Sequence, residues 1–227
     1  MSKNGLNANA LKLIALITMT VDHVGYLLFP SVLWLRIIGR LAFPIYAFMI
    51  AEGCLHTRNI GKYFATVAAT AFFCQVVSFV TTGSLYQCIL VTFSLSIGLF
   101  WLATFAATKP PIIRFPLLLT GLFLILYPTV ILPMQLSNTD FGIDYGMYGV
   151  LLPLAFTLGK TKRKQLLCGA LILLSYCISV GGIQYYSLLA LLLLALYNGT
   201  RGKWKLKWFF YLYYPAHLGI LYLLAML

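Results

Sequence analysis

Asp22 and His23 stand side by side in a largely apolar stretch, residues 11–29, and Arg36 and Arg40 follow in the next one, 32–55. Glu52, His56 and Arg58 close that second stretch, and His217 lies in the last, 208–226. The chain has only four acids and three histidines, so the segment 21–58 holds half of the former and most of the latter. An ionisable side chain inside a bilayer costs roughly 2.5–3.5 kcal/mol on insertion scales, which makes each of these residues a functional candidate. A histidine serves as a general base near neutral pH, and a neighbouring carboxylate orients it and raises its basicity. An arginine in a low-dielectric site stabilises a developing oxyanion. Such parts suit acyl transfer to an amine or hydroxyl: the histidine takes the acceptor's proton while the donor carbonyl is polarised. No serine or cysteine sits in a nucleophile elbow, which favours direct transfer over an acyl-enzyme.

Composition says where these residues must lie. Of 227 residues, 62% are hydrophobic and 9% charged, with a mean hydropathy of +0.94. Soluble domains carry about 25% charged residues, so the sequence predicts an all-α, polytopic integral-membrane helix bundle forming a single domain over 1–227. The net charge of +12 does not point to nucleic acid. Its basic residues fall in short clusters between apolar runs, as the positive-inside rule requires. Five scattered cysteines form no CxxC pair or metal spacing, so neither a disulfide nor a metal site is expected. The polar start with Lys3 runs into the first apolar stretch with no small-residue cleavage site, so that stretch is expected to act as an uncleaved anchor.

Nine apolar segments can be drawn: 11–29, 32–55, 62–81, 86–107, 112–132, 145–158, 165–180, 183–197 and 208–226. The breaks carry turn chemistry, among them Pro30-Ser31, Pro110-Pro111, Gly181-Gly182 and Asn198 to Gly202. With the N-terminus in the cytoplasm, the inner connections collect Lys3 and Lys12, Arg58 and Lys62, Lys109 and Arg114, the group from Lys160 to Lys164, and the group from Arg201 to Lys207. The outer connections hold no Lys or Arg, and the two basic residues left over, Arg36 and Arg40, lie inside the second span. About nine spans with a cytoplasmic N-terminus is therefore the expectation. The arms 165–180 and 183–197 are short, and the sixth segment, with Gly146, Gly149 and Pro153, reads as a partial or broken helix that draws Asp140, Asp144 and Tyr145 toward the outer leaflet.

Counting along the helices brings the polar residues to one level. At 1.5 Å per residue, Asp22 and His23 lie roughly 17 Å in, Arg40 about 18 Å from the inner side and His217 about 14 Å. Two readings of Asp22 are open: a structural ion pair with Arg40 or Arg36, or a member of the reacting site. Arg36 is placed to snorkel outward. Pro44 leaves the Arg40 carbonyl without its helical partner, and Gly39 allows close approach, so 39–44 reads as a broken helix lining a polar chamber. His56, Arg58 and Lys62, at the inner mouth, offer charge to a phosphate-bearing donor, with Glu52 beside them as a cap or counter-charge to Arg58.

These residues resemble a known family. The run Thr20-Val21-Asp22-His23-Val24-Gly25, then Leu35-Arg36-Ile37-Ile38-Gly39-Arg40-Leu41-Ala42-Phe43-Pro44-Ile45-Tyr46-Ala47-Phe48, then Ala51-Glu52-Gly53 and His56-Thr57-Arg58-Asn59, is similar to the TraX family. Asp144-Tyr145-Gly146-Met147-Tyr148-Gly149-Val150 and Tyr213-Tyr214-Pro215-Ala216-His217-Leu218 fit it too. The family's namesake N-acetylates conjugative pilin, and its architecture is related to membrane acyltransferases that take acetyl from cytoplasmic acetyl-CoA. The resemblance implies acetyl-CoA as the acyl donor, with Asp22, His23, Arg40 and His217 in the active chamber. Arg36, Glu52, His56, Arg58 and Lys62 are expected on the donor side, with Asp140, Asp144 and Tyr145 on the acceptor side. The acceptor stays open among a pilin N-terminus, another peptide, a glycan and a small amine. The competing expectation is a proton-coupled carrier, since intramembrane Asp, His and Arg also build relays; a structural or assembly partner is the third.

Overall fold

A computed structural model describes residues 5–204 and 207–225. Helices account for nearly all regular structure there, and the only β-contacts among the described residues are two isolated bridges. Each expected apolar segment falls on a helical stretch. Six helical stretches are long and apolar enough to cross a membrane: Ala8–Leu27, Leu33–His56, Ile60–Thr82, Ile89–Ala107, Pro111–Gln135 and Lys162–Val180. Gly146–Thr157, Gly182–Ala195 and Leu212–Ala225 are shorter. The chain is thus a multi-pass membrane protein of helices. Large apolar side chains face outward, Phe72 at 72% exposure and Leu171 at 66% among them, as lipid permits and water does not.

The helices form two compact units, residues 1–49 with 158–227 and residues 50–157. The first unit holds α1 (Ala8–Leu27), α2 (Leu33–Gly39), the first half of α3 (Ala42–His56), α9 (Lys162–Val180), a 3-10 turn (Gly182–Leu189), α10 (Ala190–Ala195) and α11 (Lys207–Ala225). The second holds the rest of α3, α4 (Ile60–Thr82), α5 (Ile89–Ala107), α6 (Pro111–Leu126), a π turn (Tyr127–Ile131), α7 (Leu132–Gln135) and α8 (Gly146–Thr157).

In the first unit, α1 packs against α2 and α11, and the 3-10 turn packs against α2, α9 and α10. Asn7 caps α1, its side-chain oxygen accepting from the Ala10 N–H at 2.9 Å. α1 turns back through Pro30 into α2, and two glycines set how closely they meet. A β-carbon on Gly25 would lie 2.7 Å from that of Leu35, and one on Gly39 would collide with the Asp22 side chain. The second span then breaks at Arg40 and Leu41 before resuming as α3. The missing N–H of buried Pro44 explains the position of the break.

One end of this unit is stitched and basic. Leu6 donates its N–H to the Leu196 carbonyl and accepts from Asn198, each at 2.9 Å. The Asn9 amide reaches the Trp204 carbonyl at 2.9 Å. Lys162 donates to the carbonyls of Ala195 and Tyr197 at the end of α10, where helix carbonyls lack partners. Lys12, Lys160, Lys162, Arg163, Lys164, Arg201 and Lys203 gather in the segments meeting there. The opposite end, residues 28–35 and 178–189, carries no Lys or Arg.

In the second unit, α5 packs against α4, α6 and α8. Asn59 caps α4 by accepting from the Lys62 N–H at 2.8 Å, and Gly83 ends it at φ 69°. α6 opens on Pro110-Pro111, where a missing N–H does no harm. Pro128 within the π turn removes an N–H from the ladder and loosens it there.

Candidate functional site

Asp22 points from α1 onto α2. Its Oδ2 accepts from Arg36 Nη1 at 2.6 Å and its Oδ1 from Arg40 Nη2 at 2.6 Å. Arg36 Nη1 also lies 3.2 Å from the Asp22 backbone carbonyl, and Arg40 Nε donates to the Arg36 carbonyl at 3.2 Å. The Tyr26 ring, one turn along α1, lies 5.0 Å from the Arg36 guanidinium. Arg36 is therefore held inward by Asp22 and does not snorkel away from it. The three side chains are 15%, 24% and 13% exposed for Asp22, Arg36 and Arg40, so the ion pairs are well shielded. Gly39 makes this possible, since any side chain there would fill the space the Asp22 carboxylate occupies.

His23 turns the other way, onto α11. Consecutive helical residues project about 100° apart, and here the carboxylate contacts α2 while the imidazole contacts α11. The expectation that Asp22 orients His23 is thus corrected: His217 does. His23 Nδ1 and His217 Nε2 lie 2.8 Å apart, and His217 Nδ1 lies 2.9 Å from the Tyr213 carbonyl. A carbonyl only accepts, so His217 carries its proton on Nδ1 and presents a lone pair at Nε2. His23 then donates from Nδ1, and its own Nε2 is left as the basic nitrogen. The His217 ring stacks on Tyr213, with centroids 5.1 Å apart and planes 12° from parallel. The Tyr213 hydroxyl is fixed in turn: it donates to Thr20 Oγ1 at 2.8 Å, because that hydroxyl gives its proton to the Leu16 carbonyl at 2.8 Å. Residues 213 and 217 share one face of α11, as 16, 20 and 23 share one face of α1, and the two faces meet as a polar seam.

The remaining predicted residues fall in the second unit. His56 is exposed, its Nδ1 3.0 Å from the Glu52 carbonyl and 3.9 Å from the Glu52 carboxylate. Arg58 and Lys62 flank the α3–α4 turn and are exposed. Asp140 accepts from the Ser84 hydroxyl at 2.5 Å and from the Leu85 N–H at 3.0 Å, tying two loops together. Those hydrogen bonds hold its carboxyl below the usual carboxylate range. Asp144 gives its N–H to the Gln87 carbonyl at 3.0 Å, while its own carbonyl accepts from Thr92 at 2.8 Å. Tyr145 adopts φ 59° and Gly146 φ 50°, so the chain turns sharply into α8.

Sequence reasoning missed Tyr213 and Thr20 as the supports of the histidine pair, and Gln184 altogether. Gln184 is 3% exposed, and its Nε2 finds no hydrogen-bond acceptor among the described residues. The available signal was a lone amide two residues after a Gly-Gly pair in an apolar arm. Among the described residues, no three His, Cys, Asp or Glu side chains group as metal ligands.

Fold and site together define a multi-pass membrane protein with an Asp–Arg–Arg cluster and a histidine pair built on its first helix. The family model described as TraX protein matches residues 7–225, and the chain belongs to that family. It is similar to the probable fimbrial assembly protein FimC, serogroup H1, of Dichelobacter nodosus, at 27% identity over 251 residues covering 97% of each chain. A shorter likeness, 50% over 38 residues, links 17% of this chain to 15% of the uncharacterized protein RP591 of Rickettsia prowazekii (strain Madrid E). No solved structure matches.

Proposed function

We propose that this protein is an integral-membrane acetyltransferase that moves an acetyl group from acetyl-CoA to an amine or hydroxyl acceptor. The observation that supports it best is the ordered hydrogen-bond chain from the Tyr213 carbonyl through His217 to His23, which leaves a basic nitrogen at His23 Nε2. In the reaction, the acceptor's nitrogen or oxygen attacks the thioester carbonyl while His23 Nε2 takes its proton. The tetrahedral oxyanion forms near the guanidinium charge of Arg40 and Arg36. Collapse breaks the carbon–sulfur bond, and the departing CoA thiolate recovers the proton from His23. Nothing is oxidised or reduced, and no acyl-enzyme is needed.

Membership of the TraX family and the name of the fimbrial relative favour a pilin or similar peptide amine as acceptor. Nine spans and an inside N-terminus belong to the same proposal, supported by the charge distribution, and residence in a bacterial inner membrane follows it from the family and the bacterial relatives. The phosphates of the donor would lie against basic groups, either Arg58 and Lys62 or the basic end of the first unit.

The test is acetyl transfer from labelled acetyl-CoA by purified protein, wild type against His23→Ala. Binding of acetyl-CoA by both, with turnover by the wild type alone, supports the assignment. A well-folded wild type that neither binds nor turns over acetyl-CoA refutes it. Substrate flux in liposomes without any acyl donor would then favour the carrier reading, which the intramembrane Asp, Arg and His also fit.

A further inference from the structure

The charge of the first unit is one-sided. Its only acidic side chain is Asp22, and that carboxylate is held by Arg36 and Arg40. The cations of the basic end therefore have no carboxylate side chain within the unit to neutralise them. Arg201 stands close enough to Lys12 for their like charges to repel. The loop that carries Arg201 and Lys203 is laid on the start of α1. The Thr200 carbonyl accepts from the Ala8 N–H at 2.8 Å, and the Trp204 carbonyl from the Asn9 amide at 2.9 Å. Between them Gly202 turns at φ 84°, where a β-carbon would lie 2.9 Å from both Asn7 Oδ1 and Asn9 Nδ2. Arg201 and Lys203 alternate with these anchor points, and both are exposed. Other basic groups are taken up by backbone: Lys162 donates to the carbonyls closing α10, and Arg114 to those of Ala106, Ala107 and Lys109. Like charges held together without a counter-ion raise one another's energy, and a bound anion removes that repulsion.

One helix face leads from this cluster to the candidate base. Lys12 Nζ lies 5.9 Å from the centre of the Phe210 ring, the Thr20 hydroxyl 2.8 Å from that of Tyr213, and His23 Nδ1 2.8 Å from His217 Nε2. These contacts run in order along one seam between α1 and α11. Lys12 and His23 are eleven residues apart, which returns to within about 20° of the same face and spans about 16 Å. Lys12, Thr20, His23, Phe210 and Tyr213 each keep part of their surface open. In CoA, about thirteen bonds of extended chain, roughly 15 Å, separate the diphosphate from the sulfur. A donor with its phosphates at the basic end thus brings its thioester to His23. An anionic phospholipid shares the phosphate but has no group to place there. Arg58 and Lys62 follow an acid, Glu52, at the end of α3, so their charge is partly offset.

We propose that Lys12, Arg201 and Lys203 form the phosphate site of the acyl donor, with the thioester-bearing arm lying along the α1–α11 seam. The kinetic part of the test rests on the acetyltransferase reading; the binding part does not. The full-length protein in nanodiscs of neutral phosphatidylcholine is titrated calorimetrically with CoA and with pantetheine. Its turnover of acetyl-CoA is compared with that of S-acetylpantetheine, which has no phosphate. The expected result is that Arg201→Gln/Lys203→Gln binds CoA roughly tenfold to hundredfold more weakly and loses a similar factor of the preference for acetyl-CoA over S-acetylpantetheine. Lys109→Gln, an equivalent charge loss in the second unit, should keep both. Weaker CoA binding in the double variant, with no acetyl transfer by the wild type, upholds the phosphate site and sinks the acetyltransferase reading alone. Turnover with an unchanged preference in the double variant overturns the site and leaves that reading standing, as does a loss seen only in Arg58→Gln/Lys62→Gln. A wild type that binds no CoA overturns both. One that binds pantetheine as tightly as CoA overturns the site, whether or not the variants fold. Nanodiscs containing phosphatidylglycerol separate the lipid from the donor. If the double variant loses bound phosphatidylglycerol by native mass spectrometry while its CoA affinity is unchanged, the cluster belongs to the membrane and the proposal is overturned.

Discussion

Replacing His217 should separate the orientation of His23 from the simple presence of a ring. His217→Phe keeps an aromatic side chain to stack on Tyr213, where the centroids are 5.1 Å apart, but removes the acceptor that holds His23 Nδ1–H at 2.8 Å. A buried donor left without its partner loses about 1–3 kcal/mol. If that loss falls wholly on the transition state, kcat drops about 5- to 160-fold, since each 1.36 kcal/mol is a factor of ten. His23 is then also free to move its proton to Nε2, which removes the base outright and pushes the loss toward the upper end. His217→Gln places an amide oxygen near the position of Nε2 and can again accept from His23, so about half or more of the loss on a logarithmic scale should be restored. The assay is acetyl-CoA turnover with kcat and KM measured separately, together with nitrogen chemical shifts of labelled histidine. Orientation predicts a fall in kcat with KM nearly constant, and a mixed protonation pattern at His23 in the Phe variant. A Phe variant as active as the wild type refutes the reasoning. So does a Gln variant as impaired as Phe with the His23 proton still on Nδ1.

Two further outcomes follow from the ion pairs and the loop tie. Asp22→Asn leaves two shielded guanidiniums facing each other, and breaking a buried pair this way costs about 3–5 kcal/mol; the variant should lose folded yield and thermal stability before it loses turnover per folded molecule, and unaltered stability would refute the structural weight placed on the cluster. Asp140 has its folded pKa held below the ordinary 3.8 by Ser84 and Leu85, so its contribution is full above that value and is lost as pH falls through the folded pKa. Amide protection factors in residues 83–88, taken relative to the intrinsic exchange rate at each pH, should therefore fall at acid pH in the wild type and already be low at neutral pH in Asp140→Ala, and wild-type protection factors that do not change with pH would contradict the tie.

Much of this was readable from the chain because a membrane simplifies the rules. Apolar segments separated by Pro, Gly and Asn place the helices: six of the nine expected segments fall on helical stretches long enough to span, and the other three on shorter ones. Depth along each helix is set by residue count, which is why Asp22, Arg40, His23 and His217 could be gathered at one level. Azimuth is another matter. Counting gives no rotation between α1 and its neighbours, so Asp22 and His23 read as one catalytic pair although they face different helices. The direction of Arg36 was hidden for the same reason: its length allows it to reach outward or inward, and only the space left by Gly39 beside Asp22 decides. Gln184 escaped notice because an amide in an apolar arm carries no charge, and hydropathy patterns weigh it little.

The adjacent pair Asp22-His23 has a consequence for how the site is held together. Because the two side chains leave α1 about 100° apart, the carboxylate fixes α1 to α2 through Arg36 and Arg40, while the imidazole fixes α1 to α11 through His217. One point on α1 thus sets the rotation of two neighbouring helices. Rotating α1 by a single residue would move Asp22 off the gap at Gly39 and His23 off His217 together, so the ion pairs and the histidine chain report on the same register. A guanidinium cluster and an oriented base are in this way built to a common reference rather than independently, which suits a reaction in which the proton and the developing negative charge must be handled in one step. The ion pairs formed by Asp22 are on this argument structural in their contacts, and under the proposed acetyltransferase reading they would also keep α1 from turning His23 away from His217.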